Sequence, residues 1–201
     1  MLRQINATPD DARIYRRLAG HVVYANAALR ADSGVLMRNQ RGQSGLWGYA
    51  ISGDHPIVLL KIADSANIEL ARQLIRCHAY WRLKGLVVDL VIWNEEHIGY
   101  RQRLQDQIIA LIATGAEANA VDRPGGTFVR YAEQTANEDR VLLQAAARVV
   151  ISEVRGSLDE QVNRRILVDK SVARLSPTRT HRPEPNAPPE PPMADLVLGN
   201  H

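Results

Sequence analysis

The strongest restriction on the fold comes from Ile57–Ile62, a run of six residues that is apolar on both faces of an extended chain. Such a run is typical of a strand in a parallel sheet, because helices cover both sides of that kind of sheet. An amphipathic helix is predicted next, with an apolar face formed by Leu70, Leu74, Cys77 and Trp81. Gly85 ends this helix, and a second buried strand is expected from Leu86 to Trp93.

Helix-capping signals predict four more helices. Thr8 caps an N-terminal helix that begins with Pro9, and Gly115 ends the helix that follows the second buried strand. Asn137 begins a helix that we expect to continue through Val149. Ser157 begins the last helix, because a glutamate three residues later completes a capping-box pattern.

Two further segments have the pattern of strands. Residues 31–45 are predicted to form a loop, and residues 46–51 an edge strand, in which Trp47 and Tyr49 alternate with small residues. Thr127–Tyr131 is predicted as the third parallel strand. Strands that alternate with helices of this length indicate right-handed crossovers. We therefore predict an α/β fold, a small three-layer module over residues 1–172 with about three parallel strands plus an edge strand.

Composition excludes several classes of protein. The net charge of +3, from 25 basic and 22 acidic side chains, is too small for the concentrated basic face of a nucleic-acid-binding protein. The single cysteine, Cys77, cannot form an internal disulfide and fits a reducing cytosol. No apolar run has the roughly 20 residues that a membrane span requires. We expect a soluble, cytoplasmic chain with no direct membrane insertion.

The composition changes after residue 172. Residues 173–194 hold most of the prolines and are predicted to form a disordered, extended linker of polyproline type. Only residues 195–201 follow this linker, and Asp195 to Leu198 has the pattern of a first strand. We therefore expect the chain to be truncated at the start of a further domain.

The sequence carries no catalytic or cofactor signature. The chain has no Walker-type loop, no GxGxxG, no metal-ligand spacing among its histidines and no GxSxG, so no metal or cofactor is predicted. Polar residues do follow the predicted strands, and ligands of parallel sheets bind beyond the carboxyl ends of the strands. These candidate binding residues are Asp64, Asn94, Glu95 and Glu133. The alternative is that Asp64 and its neighbours cap helices while the glutamates face solvent.

Two aspartates and the tryptophans have other interpretations. Asp54 belongs to a turn in which Gly53 is expected at positive φ. Asp89 lies inside an apolar strand and needs a partner such as an arginine or helix-terminal amides, and we expect a structural ion pair rather than catalysis. Trp81 and Trp93 fall on core faces, whereas Trp47 is a candidate for stacking on a sugar ring.

Several phrases of the chain resemble the bacterial cyclic β-1,2-glucan synthases. They are LWGYAISGDHPIVLLKI, LIRCHAYWRLKGLVVDLVIWNE, GYRQRLQDQI, DRPGGTFVR and EDRVLLQAAARVV, and the match runs from about Leu2 to Asn200. The resemblance implies a parent enzyme in the bacterial inner membrane that builds glucan from UDP-glucose and has a C-terminal region similar to glycoside phosphorylases. This chain resembles the segment between the two β-sandwich domains of that region, with residues 195–201 leading into the second sandwich. The resemblance therefore implies no catalytic residue here.

Three functional hypotheses follow. The first is a non-catalytic structural module, a fragment of the synthase whose partners are the flanking domains of the parent protein. The second is a stand-alone module that binds β-1,2-glucan through Trp47 and Tyr49. The third is a small carbohydrate-active enzyme that uses Asp64, Asn94, Glu95 and Glu133.

Overall fold

The fold is centred on a four-stranded sheet. The structure is a computed structural model that describes residues 2–96, 103–115 and 118–164. The strands are β1 (Ile57–Ile62), β2 (Asp89–Asn94), β3 (Thr127–Tyr131) and β4 (Val149–Ser152). All neighbouring pairs are parallel, and the order across the sheet is β3-β2-β1-β4. The predicted α/β fold with parallel strands is confirmed.

Helices surround this sheet on both faces. The α-helices are α1 (Pro9–Tyr24), α2 (Ser33–Arg38), α3 (Ile68–Leu83), α4 (Arg103–Thr114), α5 (Asn137–Ala146) and α6 (Leu158–Asn163). Short 3-10 helices occupy Leu2–Ile5, Ala27–Leu29, Gln43–Tyr49, Ser65–Asn67, Ala118–Ala120 and Glu153–Arg155.

The core is divided between the two faces of the sheet. Residues of α1, α3, α4 and α6 pack on the face that carries Val58, Leu60 and Ile92. Residues of α5 and of the 3-10 helix Gln43–Tyr49 pack on the opposite face, against Leu59 and Trp93. Alternate residues of each strand point to opposite faces, so both faces of β1 and β2 are buried. This arrangement gives the three layers that the sequence predicts.

The capping signals set the helix boundaries. The Thr8 hydroxyl accepts the N–H of Asp11 at 3.1 Å, and the Asp11 carboxylate accepts the N–H of Thr8 at 2.8 Å. The same capping box joins Ser157 and Glu160 at the start of α6. Gly85 adopts a φ of 80° after α3, a conformation that favours glycine. These predicted ends are confirmed.

The prediction of an edge strand from residue 46 is wrong. Residues Gln43–Tyr49 form a 3-10 helix, and the N–H of Ile51 donates to the carbonyl of Leu46 at 3.3 Å. Leu46 and Ile51 are both buried, whereas Trp47 is 64% exposed. This burial does not follow the alternation of a strand, because the segment folds over one face of the sheet. The predicted loop over residues 31–45 likewise contains the short helix α2.

The fourth strand comes from a segment that was predicted to be helical. Helix α5 ends at Ala146, and Val149 begins β4, where it pairs with Val58. All four residues of β4 are buried, with Val149 and Ile151 packed on one face of the sheet and Val150 on the other. The predicted second strand is also shorter at its start, because β2 begins at Asp89.

Several predictions concern residues outside the described part of the chain. These are the boundary at residue 172, the linker over 173–194 and the segment 195–201. Within residues 2–96, 103–115 and 118–164, no helix combines the length and the apolar character needed to cross a bilayer.

Candidate functional site

The strand order creates one place where a ligand site is most expected. From β1 the chain moves to β2 and then to β3 in one direction, whereas β4 pairs with the other side of β1. The topological switch point therefore lies between β1 and β4, and open α/β sheets bind ligands at the carboxyl ends of the strands beside it. A crevice of about 330 Å³ lies there, lined by residues that follow both strands, including Ala66, Asn67, Glu153 and Ser157.

The carboxylate of Glu153 occupies this switch point. Its Oε1 accepts the backbone N–H of Ala63 at 2.9 Å, and its Oε2 accepts the N–H of Asp64 at 3.2 Å. Oε2 also accepts the side-chain amide of Asn67 at 2.9 Å. Backbone N–H groups at such a position often bind the anionic group of a ligand. Here a side chain of the protein itself takes that position.

Glu153 was not predicted from the sequence as a residue of this site. The residue directly follows β4, but the sequence was predicted to be helical there, which would not have placed a carboxylate at the end of a strand. Nothing in the local pattern around residue 153 links it to the segment after β1. The one usable signal was the apolar stretch before it, Val149 to Ile151, which is compatible with a buried strand.

Asp64 caps the start of the helical segment after β1. Its carboxylate accepts the N–H of Ala66 at 2.8 Å, at the beginning of the 3-10 helix Ser65–Asn67 that leads into α3. This contact corresponds to the capping interpretation of Asp64. Its participation in ligand binding remains a prediction.

Asn94 and Glu95 lie at the same edge, at the end of β2. Asn94 pairs with Ile62 across the strands and is 1% exposed; its Oδ1 accepts the N–H of Glu96 at 2.8 Å. Glu95 forms an ion pair with Lys61 at 3.1 Å. The structure therefore brings these two residues to the edge that also carries Asp64, and each of the three has a contact within the protein.

Glu133 and Trp47 occupy other places. Glu133 is exposed and follows β3 by two residues, at the end of the neighbouring edge strand. Trp47 belongs to the 3-10 helix Gln43–Tyr49, and its indole N–H donates to the carbonyl of Ser52 at 3.3 Å. Ser52 lies in the turn before β1, at the amino end of that strand. Trp47 is therefore not part of a common site with the candidates at the carboxyl edge.

The turn before β1 has the backbone conformation that the sequence predicts. Gly53 has a φ of 77°, as predicted. The N–H of Asp54 donates to the hydroxyl of Ser52 at 3.2 Å, and Oδ1 of Asp54 accepts the side-chain amide of Gln43 at 3.0 Å. Asp54 thus ties the turn to the 3-10 helix, which is a structural role.

Asp89 is fully buried at the start of β2. Its Oδ1 accepts the N–H of Gly125 at 2.6 Å, and its Oδ2 has no hydrogen-bond partner among the described residues. The partner is therefore a backbone amide of a glycine turn, rather than an arginine or the amides of a helix terminus. Burial raises the pKa of the Asp89 carboxyl, against lowering contributions from the Gly125 hydrogen bond and from His55 and His78.

A second polar cluster lies on the face of α5. Asp139 is buried, forms an ion pair with Arg41 and accepts the hydroxyl of Tyr49 at 2.9 Å. Burial, followed by the contact with Asp139, raises the pKa of the Tyr49 hydroxyl. The cluster joins the segment before the 3-10 helix Gln43–Tyr49 to α5. The sequence contained no signal for it, because Asp139 is 98 positions from Arg41 and 90 positions from Tyr49 along the chain.

No set of three or more histidine, cysteine or acidic side chains within the described ranges is arranged to hold a metal ion. Cys77 is buried in α3, where burial raises the pKa of its thiol well above the ordinary value. A thiol in such a site stays protonated and is a poor nucleophile. Trp81 and Trp93 are both buried in the core, as predicted.

Comparison with known proteins agrees with the resemblance in the sequence. No protein-family model matches the chain. It is 30% identical over 164 residues, or 81% of its length, to cyclic beta-(1,2)-glucan synthase NdvB of Rhizobium meliloti (strain 1021). The aligned segment is 6% of the length of that relative. The chain is therefore related to the cyclic β-(1,2)-glucan synthases, through a segment that makes up a small part of such a protein.

Proposed function

We propose that this chain is a non-catalytic structural module of a protein that makes cyclic β-1,2-glucan. The observation that carries the proposal is the position of Glu153, whose carboxylate occupies the switch point between β1 and β4. A ligand anion would have to compete with a carboxylate that already accepts three hydrogen bonds. Hydrogen bonds to charged groups contribute about 1.5–3 kcal/mol each, so displacement would be costly.

The other candidates at this edge support the same proposal. Asp64 caps the 3-10 helix that leads into α3, and Glu95 pairs with Lys61. The side chain of Asn94 accepts the N–H of Glu96 in the segment after β2. These contacts join consecutive elements of the fold. Side chains that stabilise their own backbone in this way are less available for acid–base chemistry or for binding sugar hydroxyls.

As a structural module, the chain would position neighbouring domains of the parent synthase. Its partners would be the domains that flank it in that protein, and we expect no contact with nucleic acid. The parent would be located in the bacterial inner membrane and would use UDP-glucose. The module itself would contribute neither a catalytic residue nor a cofactor site.

Turnover and binding assays on the purified chain test this proposal. The chain is incubated with UDP-glucose, or with linear β-1,2-glucan and phosphate, and the products are analysed by chromatography. We expect no product in either reaction and no heat when linear or cyclic β-1,2-glucan is titrated in a calorimeter. Product that disappears in a Glu95→Gln or Asp64→Asn variant would overturn the proposal in favour of a small carbohydrate-active enzyme.

One observation favours a second function, the binding of β-1,2-glucan. Trp47 is 64% exposed, and an exposed indole is suited to stacking on a sugar ring. Binding that is lost in Trp47→Ala but retained in Tyr24→Ala would support this alternative, because Tyr24 is an exposed aromatic residue on a different element. Equal binding by the two variants, or no binding at all, would contradict it.

A further inference from the structure

A separate cavity lies between the N-terminal segment and two helices of the module. Its volume is about 330 Å³, and it is bounded by the 3-10 helix Leu2–Ile5, by α3 and by the end of α4. It lies outside the crevice at the carboxyl edge of the sheet, since the residues that line the two cavities differ. No histidine or acidic side chain is among the described residues that line it.

Two arginines give this cavity its charge. Arg72 and Arg76 are one turn apart on α3, and both line the cavity. Residues four apart on a helix lie on the same face, so both side chains reach the cavity from one side of α3. Gln4 and Asn6 line the cavity as well, and their side-chain amides add N–H donors.

The donors of these arginines are incompletely used. The Nε of Arg72 forms an ion pair with Oε2 of Glu69 at 2.9 Å, which leaves the two terminal nitrogens of its guanidinium group without a carboxylate partner among the described residues. Glu69 does not line this cavity. Within the described part of the chain, no carboxylate pairs with Arg76. The remaining guanidinium N–H groups of the two arginines are therefore available to an anion in the cavity.

The chemistry of the lining indicates which anion fits. A guanidinium group presents N–H donors in a fork that matches phosphate oxygens, and two of them with two amides suit a group that has several acceptor oxygens. The volume exceeds that of one phosphate group, and Ile75 and Leu111 form an apolar part of the wall. There is thus room for a small organic group next to the phosphate.

We propose that this cavity binds a small organic phosphate, whose phosphate group is held by Arg72 and Arg76. The site is for binding alone, because no described side chain that lines it can act as a general base at neutral pH. Binding would join the N-terminal segment to α3 and α4 through the ligand. This proposal does not depend on the structural role proposed above.

Glycerol 3-phosphate is the probe, and glycerol is the neutral control. We expect glycerol 3-phosphate, but not glycerol, to raise the Tm of the chain and to bind in a calorimetric titration. Arg76→Gln removes one guanidinium group and should weaken binding about tenfold or more. Arg13→Gln removes the same charge from an exposed position on α1 and should bind like the unchanged chain.

The Arg72→Gln/Arg76→Gln double variant should lose binding altogether, while circular dichroism verifies that it remains folded. Absence of binding to the unchanged chain at about 10 mM glycerol 3-phosphate, a concentration that saturates any site of millimolar affinity, would overturn the proposal. Equal weakening by Arg13→Gln and Arg76→Gln would also overturn it, because the attraction would then come from the overall charge of the chain.

Discussion

The carboxylate of Glu153 accepts the backbone N–H of Ala63 at 2.9 Å and so joins the segment after β4 to the segment after β1. The two residues are 90 positions apart in sequence. Ala63 and Asp64 follow the last residue of β1, so their N–H groups lie beyond the ladder of the sheet and need other acceptors. Glu153 satisfies these donors with a charged acceptor.

Replacing Glu153 should therefore destabilise the module. In Glu153→Gln, the amide NH₂ faces N–H donors and repels them, so we expect the free energy of unfolding to fall by about 2 kcal/mol. Chemical denaturation measures the change. Glu95→Gln is the matched control, because it removes only the part-exposed ion pair with Lys61 and should cost less than about 1 kcal/mol. Equal losses in the two variants would contradict the role given to Glu153.

The glycine turn before β3 makes a second, steric prediction. A Cβ on Gly126 would lie 1.8 Å from the carbonyl oxygen of Ala120, which belongs to the backbone and cannot rotate away. We expect Gly126→Ala to lower the free energy of unfolding by about 2–3 kcal/mol. Gly20 lies in α1 with nothing within 4 Å of its Cβ position, so Gly20→Ala should raise stability by about 0.5–1 kcal/mol. Thermal unfolding of both variants tests this prediction, since the Tm should fall for Gly126→Ala and rise for Gly20→Ala.

The sequence was sufficient to predict the central strands of the sheet, but it was not sufficient to predict the edge strand β4. Ile57–Ile62 is apolar on both faces, so only a buried strand explains it. Val149 fits two patterns, because it also follows Val141 and Ala145 at helical spacing. The four residues of β4 are too few for periodicity to separate these alternatives, and pairing with β1 decides between them.

The prediction of the candidate site was limited by the same ambiguity between helix and strand at residues 149–152. The sequence placed Asp64, Asn94 and Glu95 after strands, and the structure has all three at the carboxyl edge. Whether a carboxylate at that edge can bind a ligand depends on its contacts within the protein. The hydrogen bonds of Glu153 to Ala63 and Asp64 exist only because β4 pairs with β1 and so brings Glu153 to this edge. Trp47 was placed on a strand because aromatic residues alternate around it, yet the segment packs as a 3-10 helix over the sheet.

Asp139 gives a third prediction, on the other face of the sheet. Its carboxylate pairs with Arg41 and accepts the Tyr49 hydroxyl at 2.9 Å. Asp139→Ala leaves both partners without an acceptor in a part-buried site, and we expect a loss of about 2–3 kcal/mol in the free energy of unfolding. Asp159→Ala removes an exposed contact with Asn163 and should change stability by less than about 1 kcal/mol. Urea titrations of the two variants would contradict this role for Asp139 if their losses were equal.

Asp89 makes the stability of the module depend on pH. Burial is the largest cause of its raised pKa, since Oδ2 has no partner among the described residues. A carboxyl whose pKa is higher in the folded state binds its proton more tightly there. Its contribution to stability is therefore present below the ordinary pKa of 3.8 and is lost as the pH rises through the raised value of the folded state.

Asp89→Asn should remove this dependence. The amide oxygen of asparagine can still accept the N–H of Gly125, but the side chain carries no charge at any pH. We expect Asp89→Asn to gain stability relative to the unchanged chain between about pH 4 and about pH 7, because only the aspartate must bury a negative charge at the higher pH. Urea unfolding of both proteins at the two pH values measures the difference. A difference that stays constant, or that shifts in favour of the aspartate as the pH rises, would show that the ionised carboxylate is well accommodated beside Gly125.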